Sequence, residues 1–142
     1  MQFIIYFRFA AEIGPSSINY LPSGDIIDYT ELIDANDNFN PKTGVFWLNN
    51  DSEDGVYEFH VSGLKSGFYG HNGLIYVYKN NDYIQSIYEQ NANHYHMMSA
   101  VFTLYLQRGD KVKLKNEYKN SIHVESIHPF TFTGYKILDR LS

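Results

Sequence analysis

Short apolar runs separated by turn signals extend along the whole chain: "QFIIYFRF", "DIIDYTEL", "GVFWL", "VYEFHV", "LIYVYK", "YIQSIYE", "MSAVFTLYLQ", "DKVKLKN" and "PFTFTGYKIL". Two of them alternate cleanly. In "VYEFHV", Tyr57, Phe59 and Val61 share one face while Glu58 and His60 share the other. In "DKVKLKN", Val112 and Leu114 oppose Lys111, Lys113 and Lys115. Successive side chains of a strand point to opposite faces, so a period of two marks a half-buried strand. "LIYVY" and "AVFTLYL" are apolar on both faces, which suits strands covered on both sides, inside a sandwich or where subunits pack. About ten short strands spaced by turns, with no helical stripe, predict an all-β antiparallel sandwich or jelly roll.

Composition narrows this further. At 142 residues the chain is read as a single domain spanning 1–142, long enough to bury a core. Apolar residues at 44% against 19% charged oppose disorder, and thirteen Tyr with ten Phe favour pleated structure. A formal net charge of −5 without a Lys/Arg cluster excludes a nucleic-acid surface. There is no cysteine, hence no thiol catalysis, disulfide or cysteine zinc site. No apolar run approaches the ~20 residues of a membrane helix, so no membrane insertion is expected. The opening "MQFIIYFRFAAEIG" is interrupted by Arg8 and lacks a preceding basic segment. It reads as a strand rather than a signal peptide.

Four segments carry a family resemblance. The order Asp34, Phe39, Phe46, then Gly55, Tyr57 and Phe59, with "NPKTGVF" between, resembles the signature of the complement C1q-like globular domain. "IYVYKNN", "LYLQRGDKVKL" (with Gly109 and Asp110) and "TFTGYKIL" (with Phe132 and Gly134) resemble later family segments, in the correct order. The resemblance implies a trimeric jelly roll related to tumour necrosis factor ligands. It further implies an extracellular setting, with any export signal or collagen-like or coiled-coil stalk upstream of Met1. Departures are the longer acidic loop "NNDSED", Val61 in place of a common aromatic, Lys113 in place of a frequent Trp, and the missing cysteine after Phe46.

Candidate sites follow from loops and clusters. "RGD" at Arg108 to Asp110 is the tripeptide integrins bind, but Gly109 and Asp110 fall on the Gly-Asp turn, where glycine tolerates positive φ. The turn role is therefore expected. His94 and His96 lie two apart on an extended segment and could chelate one cation. The resemblance places them, with Glu89, in a loop where relatives bind calcium near the trimer axis. Imidazole suits zinc, copper or nickel, whereas calcium takes oxygen ligands. No cofactor is required by the sequence: a solvated polar loop is the expectation, with calcium or a transition metal at the axis as the alternative. His60 and His71 are expected in solvent.

The acidic loop is read as a solvated turn, with Asp51, Glu53 and Asp54 as candidate ligand contacts; Tyr118 and His123 sit in a second polar loop. An aromatic excess beyond what one core can hide points to a homotrimer interface, for which Tyr76, Tyr78, Tyr88 and Tyr105 are the candidates. No catalytic constellation is found: the next Glu after His96 is Glu117, too distant for cupin chemistry, and no nucleophile elbow occurs. The expected function is a non-enzymatic recognition head binding an extracellular protein or glycan through surface loops. A lectin-like module for glycans or microbial surfaces, and a structural head of a larger scaffold, are the alternatives.

Overall fold

The computed structural model describes residues 7–15, 19–35, 37–66, 72–90 and 94–139. His71, and the "GFYG" stretch before it, lie outside these. The described chain forms β1 (Phe7–Ile13), β2 (Gly24–Asp25), β3 (Thr30–Asp34), β4 (Phe39–Asn40), β5 (Val45–Trp47), β6 (Gly55–Lys65) and β7 (Gly73–Lys79). It continues with β8 (Asp82–Glu89), β9 (His96–Leu106), β10 (Lys111–Asn116), β11 (Ile122–His123) and β12 (Phe130–Asp139). One single-turn 3₁₀ element, Asp51–Glu53, precedes β6.

The strands make two antiparallel sheets. The first runs β9-β6-β12-β1-β3, with β11 pairing the end of β6. The second runs β4-β5-β10-β7-β8, with β2 pairing the end of β10. This is the jelly roll the alternating runs predicted, and inward positions of both sheets meet in one apolar cluster.

Phe9 sits at its centre, stacked on Phe39 at 4.5 Å and on Phe46 at 5.0 Å, with Phe132 edge-on at 4.9 Å. Phe59, Phe102 and Phe130 are also buried. These seven phenylalanines thus fill the interior, and much of the aromatic content needs no partner chain. The tyrosines divide differently: Tyr29 and Tyr57 are buried, whereas Tyr83, Tyr88 and Tyr95 are exposed.

"DIIDYTEL" reads as one strand but forms two, in different sheets. Asp28 takes φ 61°, and the chain crosses from β2 to β3 there, its amide donating to Lys42 O while that of Tyr29 donates to Pro41 O. Gly44 makes the crossing possible. A Cβ on it would stand 2.2 Å from Ile26 O, and its φ is 72°. The signature Asp34 closes the following turn, its carboxylate accepting from the Asn38 amide at 2.9 Å. A local polar residue thereby satisfies backbone that no ladder reaches.

Candidate functional site

The acidic loop is not solvated as expected. Of its three acidic residues Glu53 and Asp54 are buried, and Asp51 alone stands out in solvent, as Asn49, Asn50 and Ser52 also do. Asn50 caps the single turn through its side chain to Ser52 N at 2.8 Å, and Tyr57 donates its hydroxyl to Glu53 O at 2.6 Å. Burial pushes the Tyr57 phenol up to about 12. Asp54 Oδ1 accepts from the Arg108 amide at 2.8 Å, tying this turn to the one between β9 and β10. A buried carboxylate needs such donors. Asp54 is thus a structural clamp.

The same geometry bears on "RGD". Gly109 has φ 91°, and Asp110 accepts from the Gln107 amide at 2.8 Å and from Asn80 Nδ2 at 3.2 Å, with Lys79 Nζ 3.7 Å away. The carboxylate that a receptor cation would need is engaged inside the turn. Of the other signature positions, Gly134 faces Phe9 and Phe59 in the core, and Gly55 opens β6 where a Cβ would meet Leu138 O at 2.3 Å.

His94 and His96 do come together, their rings 4.2 Å apart. Glu89, at the end of β8, does not join them: among the described residues no three His, Asp or Glu side chains converge as a metal site. Two imidazoles by themselves do not fit calcium, which takes oxygen ligands. Residues 91–93, with the turn formers Asn91 and Asn93, lie outside the described residues. His123 packs between the rings of Tyr20 at 5.0 Å and Tyr95 at 5.5 Å. Tyr118 serves through its backbone, its carbonyl accepting from Asn116 Nδ2 at 3.1 Å and Ser121 Oγ at 2.6 Å.

The two outer sheet faces differ in chemistry, and they separate the four candidate interface tyrosines. Tyr105, opposite Val56, lies on the first sheet; Tyr76, Tyr78 and Tyr88 lie on the second. No single flat contact can use all four. On the first sheet, Val101 stands opposite His60 and is 56% exposed, with Met97 exposed on the same strand. Beside Val101 is a polar cluster that the alternation only half disclosed. Glu58 and His60 are two apart on β6, and register brings Tyr135 between them: Tyr135 OH donates to Glu58 Oε1 at 2.5 Å, and His60 Nε2 lies 2.9 Å from that oxygen and 3.2 Å from the hydroxyl. The Tyr135 hydrogen bond, with His60, draws the Glu58 carboxyl below its ordinary range, against a smaller desolvation effect. His60 is therefore half-covered and partnered rather than free in solvent. A depression of ≈ 440 Å³ adjoins it, bordered by His60, Ser62, Ser99, Val101 and Thr131.

On the second sheet, Tyr76, Tyr78 and Tyr83 pack edge to face at 5.6 to 6.5 Å. Lys113 Nζ lies 5.9 Å from the Tyr78 centroid and 3.1 Å from Asp25 Oδ2. Sequence reasoning missed Asp25 and Tyr83, because only the strand order places them beside Tyr78.

The molecule is thus a two-sheet jelly roll with chemically different outer faces and a loop held by a buried polar clamp. The C1q domain pattern matches residues 16–137, and the chain belongs to that family. Its fold is similar to that of the globular domain of a zebrafish complement 1qA protein (TM-score 0.68, 21% identity, covering 93% of this chain and 98% of that one). It is also similar to murine APRIL (0.68, 11%, 91% and 98%) and to an Eiger TNF from S. frugiperda (0.67, 13%, 96% and 96%). None of the curated proteins matches the sequence. Among the described residues no helix is long and apolar enough to cross a membrane.

Proposed function

We propose that the chain is a non-enzymatic, extracellular recognition head that assembles as a homotrimer through the outer face of its first sheet. Family membership supports the class. The observation that carries the interface is the exposed Val101 and Met97 beside the self-satisfied Glu58–His60–Tyr135 cluster. Apolar side chains next to polar groups already hydrogen-bonded to one another make a face that can lose its water at low cost. The opposite sheet, and the loops at the ends of the sandwich, then remain available for partners.

The test is light scattering on the purified chain with Val101→Glu. A species of three times the chain mass that Val101→Glu dissociates is expected, because three carboxylates would be buried against apolar neighbours. A monomer at every concentration, or a trimer indifferent to Val101→Glu, overturns the proposal. Glycan rather than protein recognition is the second reading. It is favoured by the shallow tyrosine-lined depression on the second sheet, beside Asp25 and Asn81.

A further inference from the structure

Two cross-strand rungs cross the outer face of the second sheet. Lys113 stands opposite Tyr78, which faces Tyr83; Lys115 stands opposite Tyr76, which faces Ser86, with Asp25 on the other side of Lys115. A depression of ≈ 180 Å³ lies here, bordered by Asp25, Tyr78, Asn81, Lys113 and Lys115. We propose that this depression binds an acidic saccharide, a sugar carrying a carboxylate or sulfate, on a cell or microbial surface. The proposal rests on the glycan reading and names its ligand class and its place.

Three features carry it. The tyrosine rings brace one another, so they offer apolar area with little conformational entropy left to lose. The C–H face of a pyranose can lie on such a ring while its hydroxyls reach polar groups at the rim. The rim supplies both hydrogen-bonding senses: Lys113, Lys115 and the Asn81 amide donate, and Asp25 and the Asn81 carbonyl accept.

Charge selects an acid. The chain carries −5 overall, yet Lys111, Lys113 and Lys115 project from one face of one strand. Asp25 answers Lys113; among the described residues Lys111 and Lys115 have no ion-pair partner. A neutral sugar would leave that charge unused. The polyanionic backbone of a nucleic acid would meet the net negative charge of the rest of the molecule. A shallow, solvent-open depression is also small for a peptide side-chain anchor, which seeks an enclosed apolar pocket. The site faces away from the proposed assembly surface, so a trimer would present three copies outward and gain avidity.

The experiment is a glycan array probed with the intact chain, printed as matched pairs: sialylated, uronic-acid and sulfated glycans, each with its neutral counterpart. Poly-L-glutamate serves as an acidic peptide probe. Retention on acidic members and not on their neutral partners is expected. Lys115→Gln and Tyr78→Leu should each weaken binding about tenfold, the loss of one charge-assisted contact or one stacking surface. Lys42→Gln, in the turn between β4 and β5, should leave it unchanged. Thermal melts of each variant separate lost binding from lost folding. Equal retention of neutral glycans overturns the acidic ligand but preserves the glycan reading; no glycan retained overturns both. Poly-L-glutamate bound in preference to acidic glycans makes the partner an acidic protein segment. Binding undiminished in both variants removes the site from this face.

Discussion

Gly134→Ala isolates how tightly the two aromatic layers close over β12. Gly134 lies opposite Phe9 on β1 and Phe59 on β6, and its missing side chain lets those two rings approach within 6.3 Å of each other. A Cβ at this position would stand 2.6 Å from Phe9 Cε1 and 3.0 and 3.1 Å from two atoms of the Phe59 ring. Carbon atoms rest at about 3.5–4.0 Å, so one ring or the strand must yield by nearly an ångström. Phe9 has little room to do so, being wholly buried and stacked on Phe39 with only 3° between ring planes.

Overpacking of this kind costs roughly 1–3 kcal/mol, while replacing glycine within a strand returns about 0.5–1 kcal/mol. Sterics therefore win, by about 1–2 kcal/mol, or a fall in Tm of roughly 2–8 °C for a chain of this size. Melts followed by near-ultraviolet circular dichroism at fixed protein concentration read this out, since assembly would make Tm concentration-dependent. Phe9→Leu should absorb much of the penalty in the double variant, with a coupling of at least about 0.5 kcal/mol. A Gly134→Ala chain as stable as the parent, or penalties that simply add, would refute this account of the core.

Other expectations concern buried polar groups. The Tyr57 phenol ionises at about 12 in the fold, above its unfolded value of ~10. The unfolded chain therefore loses its proton first, and stability falls as pH rises through that window; Tyr57→Phe should flatten the decline in Tm and cost about 1 kcal/mol at neutral pH. Lys65 is fully buried, with its ammonium donating to Ser66 O at 2.5 Å, and burial lowers its pKa despite Glu89 nearby. Folding thus disfavours its charge until pH rises through that lowered value, so Lys65→Met should hold or raise Tm at pH 7; a drop of several degrees would mean the charge is used. Asp54→Ala strips the Arg108 amide of its acceptor and should cost about 1.5–3 kcal/mol in urea titrations. With Asp110 engaged in its turn, cells bearing integrins should not adhere to the immobilised parent chain in a cation-dependent way. Calcium should leave melting unchanged, whereas zinc or nickel titrated against His94→Ala tests whether the paired imidazoles bind.

Much of the fold was legible because a strand's alternation is local. Phe39, Phe46, Tyr57, Phe59 and Phe132 lie inside as their patterns required, and the turn chemistry at Asn40 to Gly44 and at Gly109 could be read residue by residue. The split of "DIIDYTEL" between two sheets was not legible, since it depends on the carbonyls that Lys42 and Pro41 offer to Asp28 and Tyr29. Nor was the clamp at Asp54, whose donor lies on another turn, or the Glu58–His60–Tyr135 cluster, where strand register supplies the third member. The tyrosines show the division most plainly. Sequence alone determined that Tyr76, Tyr78, Tyr88 and Tyr105 sit on strands and project from a pleat. Only the tertiary structure decided which sheet each strand joins, and hence which face each ring adorns, because strand order comes from long-range pairing that leaves no periodic trace.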